Sequence, residues 1–280
     1  MEKQIVLEHD FGFRDGASSV MEGVIDRIDP DIKVKLLTPH VAAFDHQEGA
    51  FLLLTNYWHF RKGTVFIAVV DPGVGTDRKI LLVQTENYCF VGPDNGILGP
   101  VMEAEKIERI IALNNLKTRE AVWKLTKDDY FLRPSSDVFE GRDIYCPAAA
   151  LYIQGVTDLG EEIKLDELKK LSFVPRPVQD NSMGCEVIFI DDYGNLLLSC
   201  TEQDLNEFAG GQECAIAFKD QIIPHISKTY ANAEIGELIA VFGGDFEHPI
   251  RGDFLEIAIN EGNAARTFKM KKGDKVIIEK

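Results

Sequence analysis

Asp71 and Arg78 stand seven residues apart in the stretch VFIAVVDPGVGTDRKILLV, where an apolar run gives way to a turn containing Pro72, Gly73 and Gly75. The proline and the two glycines let the chain fold back on itself, so the carboxylate and the guanidinium are able to meet. Two arrangements suit that pattern: an acid and a base beside a substrate, or a hairpin turn carrying a surface ion pair. A phosphate cradle does not. A P-loop requires GxxxxGK[ST] and a dinucleotide fingerprint requires GxGxxG entering a helix, whereas here two glycines lead into a second β-prone run.

Other loops carry similar residues. DFGFRDG contributes Asp10 and Asp15, FDHQEG contributes Phe44 and Asp45, GPDNG contributes Asp94 and Asn95, and FEGRD contributes Phe139, Glu140, Arg142 and Asp143. Each adjoins an apolar run, and strand-end loops of a parallel sheet converge on one edge, where carboxylates, amides and aromatic faces line a shared cleft. Helix caps for Asp15 and Asp45, and core positions for Phe44 and Phe139, remain equally good readings of the same residues.

The elements that must position these loops alternate. KQIVLE reads as a buried first strand, ASSVMEGVIDRI as a helix, IKVKLLT as a strand, FDHQEGAFLLLTNYWHF as a helix and GTVFIAVV as a third strand, followed by KILLVQT and YCFVGPDNGIL. This order predicts an α/β domain over residues 1–172, with a mostly parallel sheet flanked by helices. SFVPRPVQDNSMG, with two prolines that disfavour helix and ladder pairing, predicts a linker over 173–183. Beyond it, CEVIFIDD, NLLLSC, CAIAFK, IAVFGG, FLEIAIN and DKVIIEK, separated by turn residues, predict a smaller antiparallel β-barrel domain over 184–280.

Composition narrows the function classes. A net charge of −16 argues against a broad nucleic-acid or anionic-membrane surface, since such partners are held by clustered Lys and Arg, and it suits a neutral or cationic small molecule. No apolar run is long enough to span a bilayer, and MEKQIVLEHDFG lacks the layout of a signal peptide, so a cytoplasmic location is expected. The five cysteines form no CxxC pair and read as reduced core thiols. The six histidines show no HxH or HExxH spacing, so no metal is expected.

Taken in order, HDFGFRDG, FDHQEGA, GTVFIAVVDPGVGTDR, FVGPDNGIL, VFEGRDIYCPAAA, DDYGN and FLEIAINEGNAA cover nearly the whole chain and resemble the S-adenosylmethionine (SAM) hydroxide adenosyltransferases. These adenosine-forming SAM hydrolases are relatives of the fluorinases and chlorinases. The resemblance implies an α/β first domain, a β-barrel second domain, and a homotrimer in which SAM lies between the first domain of one subunit and the second domain of its neighbour. It also implies cleavage of SAM to adenosine and L-methionine, with no cofactor beyond the substrate.

Asp71 and Arg78 match two members of the family triad that directs a water onto the ribose 5′ carbon. In the halogenating relatives a tyrosine resembling a halide-pocket wall replaces that aspartate; a carboxylate there repels halide, so hydrolysis is expected. The third member, the histidine of FHGRD, is Glu140 in FEGRD here. Either Glu140 serves as base or hydrogen-bond donor, or it swings away and leaves a non-catalytic SAM or adenosine sensor. By the same resemblance Asp10 grips the ribose hydroxyls, Asp15 and Asp191 lie near the methionine ammonium, and Phe44 packs on the ligand. Phe139 and Gly141 flank the reacting carbon, while Tyr193 and Asn195 stack on and bond adenine. The segment FGGDFEHPIRGDFLEIAIN departs from the short serine and glycine turn of relatives, which puts recognition of the methionine carboxylate in question and makes Arg251 a candidate for it.

Overall fold

Strand β1 (Gln4–His9) is buried along its whole length, as an apolar run covered on both faces must be. The computed structural model describes residues 3–116, 118–132, 136–179 and 181–280. It divides into two units, Met1–Leu171 and Ser172–Lys280. In the first, β1 joins β2 (Lys33–Thr38), β3 (Val65–Val69), β4 (Ile80–Thr85), β5 (Cys89–Pro93), β6 (Ile107–Ala112) and β7 (Glu161–Glu162) in a sheet of order β2-β1-β3-β5-β4-β6-β7. The β1–β2, β1–β3 and β3–β5 ladders are parallel. Strand β4 runs antiparallel to β5 and β6, and β7 antiparallel to β6. The sheet is therefore mixed, with five strands pointing one way and β4 and β7 reversed.

Helices α1 (Ala17–Ile28), α2 (His46–Asn56), α3 (Gly99–Ala104), α4 (Arg119–Thr126) and α5 (Cys146–Ile153) complete this unit. Ile5, Leu7, Val65, Ile67 and Val69 share a core with Met21 and Ile25 of α1 and Ala148–Leu151 of α5. The alternate strand positions supply an aromatic cluster, in which Phe66 stacks on Phe90 at 5.4 Å and Tyr57 meets both edge-on. This alternation covers both faces of the sheet and leaves its carboxyl edge to the loops.

The second unit is a large antiparallel sheet. Strands β9 (Ser182–Ile190), β10 (Leu196–Thr201), β11 (Ala215–Phe218), β12 (Gln221–Ile223), β13 (Leu238–His248), β14 (Gly252–Ile259) and β15 (Lys275–Glu279) follow the path β12-β11-β15-β9-β10-β14-β13, with helices α6 (Glu202–Ala209) and α7 (Ala264–Phe268) appended. Among the described residues no ladder joins β12 to β13, so the pairings form a path rather than the closed ring a barrel requires. The stretch read as a linker contributes strand β8 (Arg176–Gln179), which pairs with β9 at Arg176, Pro177 and Gln179. Proline is tolerated there because β8 pairs on one side alone, and Asp180 of the same stretch lies outside the described residues. All five cysteines are buried and free. Among the described residues no helix is long and apolar enough to cross a membrane.

Candidate active site

The loop after β3 is not a hairpin turn. Strands β3 and β4 are separated in the sheet by β5, so residues 70–79 step over the carboxyl end of β5. Asn95, just past β5, anchors that step: its Nδ2 donates to the Val70 carbonyl at 2.8 Å, and its Oδ1 accepts from Ile97 N–H at 3.0 Å. The turn closes through Val74 N–H to Asp71 O and Thr76 N–H to Gly73 O. Gly75 takes a φ of 78°, with the Asp137 carbonyl 3.0 Å from where a Cβ would stand.

The return brings Arg78 onto Asp71. Arg78 Nε donates to Asp71 Oδ1 at 2.8 Å and Nη2 donates to Oδ2, a two-point pairing that fixes both planes. Both side chains are only 6% exposed, which removes the surface-ion-pair reading. A buried pair costs desolvation that further hydrogen bonds must offset. Gly73 N–H supplies one to Asp71 Oδ1 at 3.1 Å, and Tyr145 OH supplies another to Asp71 Oδ2 at 3.0 Å. Arg78 Nη2 also donates to Glu140 Oε2 and, at 3.2 Å, to Tyr145 OH.

Glu140 and Tyr145 arrive together because the chain makes one wide helical turn. Residues Gly141–Tyr145 form a π-helix in which Cys146 N–H reaches back to Gly141 O, five residues away. Such turns are rare and recur at functional sites. Gly141 is required at its start, since a Cβ would stand 2.9 Å from Val69 Cγ1 and 3.2 Å from Met21 Sδ. Burial, then the Asp71 charge, pushes the Tyr145 phenol well above its ordinary pKa, so it remains a neutral donor. Burial alone would lower the Arg78 guanidinium, but its hydrogen bonds to Asp71 and Glu140 raise it above its usual value and keep it charged.

Asp71, Glu140 and Tyr145 form one wall of a cavity of about 270 Å³ at the carboxyl edge of the sheet, with Arg78 behind that wall rather than on its surface. Asp10, Phe11, Phe44, Val69, Phe139 and Gly141 form much of the remainder. Asp10 Oδ2 accepts from Phe44 N–H at 2.8 Å, across 34 positions of sequence. That bond helps hold Phe44 at a φ of 68°, an unusual backbone for an aromatic residue, with the residue 70% exposed.

Several residues from the same loops support the site without lining it. Asp45 caps α2 by accepting from Glu48 N–H at 3.0 Å, and Asp15 accepts from Ala17 N–H at 3.0 Å where α1 begins. Asp94 accepts from Lys169 N–H at 2.9 Å. Arg142 turns onto Asp143 through bonds of 2.7 and 2.8 Å, and Asp143 also accepts from Ser136 N–H. Tyr145 was not singled out from the sequence, although it sits in the same VFEGRDIYCPAAA stretch. Its one signal there is a buried-helix context with a phenol that needs a partner.

In the second unit, Asp191 accepts from Asn195 N–H at 2.8 Å and from Asn195 Nδ2 at 2.9 Å, which closes the β9–β10 turn. Gly194 has a φ of 88° with Asn263 packed directly against it. Tyr193, at the tip, is 78% exposed. Arg251 is paired with Asp204 at the start of α6. Asp204 also accepts from Thr201 N–H and Oγ1, so the charged 243–254 segment is tied to that helix. Among the described residues no group of three His, Cys, Asp or Glu could hold a metal ion.

Comparison with known proteins places this geometry. Residues 5–161 match the family model described as SAM hydroxide adenosyltransferase N-terminal domain, and 185–277 match the one described as its C-terminal domain. A Salinispora arenicola protein named (R)-S-adenosyl-L-methionine hydrolase is 29% identical over 95% of this chain and 94% of its own. One of the same name from Methanocaldococcus jannaschii is 31% identical over 72% of this chain and 68% of its own. A crystal structure of a Thermotoga maritima protein superposes with a TM-score of 0.82 at 26% identity, covering 99% of this chain and all of that one.

Proposed function

The chain belongs to the SAM hydroxide adenosyltransferase family, and we infer that it hydrolyses SAM to adenosine and L-methionine by attack of water on the ribose 5′ carbon. The observation that carries the reading is the buried Asp71–Arg78 pair, joined to Glu140 and Tyr145 in the wall of the cavity.

The chemistry fits these residues. Sulfur leaves SAM as a neutral thioether, so no general acid is required, and catalysis reduces to placing a water in line and accepting its proton. The wall carboxylates include that acceptor. Arg78 keeps them fixed and balances their charge. Attack by a water that is becoming hydroxide on a sulfonium reduces charge separation, so the apolar flanks formed by Phe11, Val69 and Phe139 favour it. Neither a metal nor a redox group enters this scheme, and the net negative wall disfavours a halide nucleophile.

Within this reading, the open Oδ1 of Asp10 grips the ribose hydroxyls, Phe44 packs on the ligand, and Phe139 and Gly141 border the reacting carbon. Asp15 and Asp191 face the methionine ammonium, and Tyr193 with Asn195 contacts adenine. Asn195 Nδ2 gives one N–H to Asp191, which leaves its second N–H and its Oδ1 for the base. We place Asp191, Tyr193 and Asn195 from a neighbouring copy, in a cytoplasmic homotrimer. A cavity of about 270 Å³ falls below the usual range of ligand pockets, about 300–1,000 Å³, which supports completion by a second surface.

Glu140 has not swung away: it lines the cavity and is held by Arg78, which favours turnover over the sensor reading. Incubation of purified protein with each sulfonium epimer of SAM, followed by chromatography, tests the assignment. Adenosine and methionine in equal amounts support it; unchanged SAM with both epimers refutes it.

A further inference from the structure

We propose that Tyr145 is a positioning residue for this hydrolysis: its phenol fills the last acceptor site of Asp71 and leaves Glu140 as the carboxylate that takes the water's proton. The inference rests on the hydrolase reading above and divides labour between its two acids.

A carboxylate has about four lone-pair sites, two on each oxygen. Asp71 Oδ1 accepts from Gly73 N–H and Arg78 Nε; Oδ2 accepts from Arg78 Nη2 and Tyr145 OH. Four donors therefore occupy four sites, and Asp71 has none left for a water. The direction of the Tyr145 bond follows from its partners. An ionised carboxylate only accepts, so the single proton of the phenol goes to Asp71 Oδ2 at 3.0 Å.

Glu140 is placed differently. Among the described residues it accepts one bond, from Arg78 Nη2 to Oε2, and its Oε1 has no protein donor although the side chain lines the cavity. Arg78 lies behind both acids and bridges them, so the water meets one carboxylate that is saturated and one that is not. The charged and titratable groups facing Glu140 are Arg78, Asp71 and Tyr145 on its own wall and Asp10 across the cavity.

Water oxygen forms a bond to C5′ while the C5′–S bond breaks and its electron pair stays on sulfur. One water proton passes to Glu140 Oε1 and then to solvent, and the other remains as the 5′ hydroxyl of adenosine.

A double-mutant cycle on the full-length protein, read as kcat, KM and adenosine Kd, tests this. Glu140→Gln should lower kcat by about 100-fold or more, the usual contribution of a general base, with adenosine Kd nearly unchanged. Tyr145→Phe alone should lower kcat about tenfold at unchanged KM, because Asp71 is released from its fixed position. In the Glu140→Gln background the same Tyr145→Phe change should raise kcat, since Asp71 regains an acceptor site for the water; a purely structural tyrosine would lower it again. Wild-type kcat in Glu140→Gln, or a further loss in the double variant, overturns the inference. Absence of adenosine from the wild type instead overturns the hydrolase reading itself, while retained turnover by Glu140→Gln leaves that reading standing.

Discussion

Arg78 and Asp71 meet through two hydrogen bonds, and each is only 6% exposed, although the chain between them steps over an entire strand. The pair is therefore a product of the sheet order as much as of the loop. Its stability depends on both charges being present. Arg78→Met should cost on the order of 3–5 kcal/mol, as expected when one partner of a buried ion pair is removed, because Asp71 and Glu140 are left facing each other uncompensated. Urea unfolding measures the loss. A cost below about 1 kcal/mol, the range of surface pairs, would show that the pair is hydrated in solution.

Gly141 carries a separate constraint, from packing rather than charge. Gly141→Ala places a methyl group 2.9 Å from Val69 Cγ1 and 3.2 Å from Met21 Sδ. Overpacking of this kind costs about 1–3 kcal/mol, and relief by moving the π-helix would carry Glu140 and Tyr145 off their partners. The expected outcome is a fall in kcat larger than the fall in melting temperature suggests. Wild-type activity with lowered stability would show that the turn moves without disturbing the two side chains.

How much of this was legible in sequence depends on whether a residue's role is local. The apolar runs of β1 and β3 and the turn residues after Val70 are local signals, and they located Asp71 and Arg78 at a strand end. Asn95 and Asp94 looked like site residues by the same logic, but they serve backbone groups that only the sheet order brings near them. Tyr145 depends on a π turn, and an extra residue per turn leaves no pattern in a five-residue stretch. Pro177 argued against strand pairing, yet β8 pairs on one side only, where a proline costs no ladder bond.

Glu8 and His9 are neighbours on β1 whose ionisation acts on stability in opposite directions. Glu8 is 1% exposed with neither carboxyl oxygen hydrogen-bonded, and burial, aided by Glu48, raises it well above its ordinary value. The folded state therefore holds a proton the unfolded chain releases above about pH 4.3, so its contribution is present at low pH and is lost as pH rises toward the folded value. His9 is fully buried, and burial, with His40 adding, lowers it to about 4. Its contribution is complete above about pH 6.5 and is lost as pH falls toward 4. Glu8→Met should raise the melting temperature more at pH 8 than at pH 5. An equal gain at both would mean that Glu8 is not held neutral.

Tyr193 tests whether the site is shared between copies. Its ring is 78% exposed at the tip of the β9–β10 turn, so Tyr193→Ala should change stability by less than about 0.5 kcal/mol. If the ring stacks on adenine, the same change should weaken adenosine binding by about 1–3 kcal/mol and leave the variant nearly inactive. Asp71→Ala should be inactive for the separate reason that its buried guanidinium partner loses the acid it was built around. In a head-to-tail ring, a site whose first unit comes from a Tyr193→Ala chain and whose second comes from an Asp71→Ala chain has both residues intact. Random mixing of the two variants in equal amounts, through unfolding and refolding together, should restore about one quarter of wild-type activity. Activity no greater than the sum of the separate variants would mean that Asp71 and Tyr193 do not serve one site from two copies.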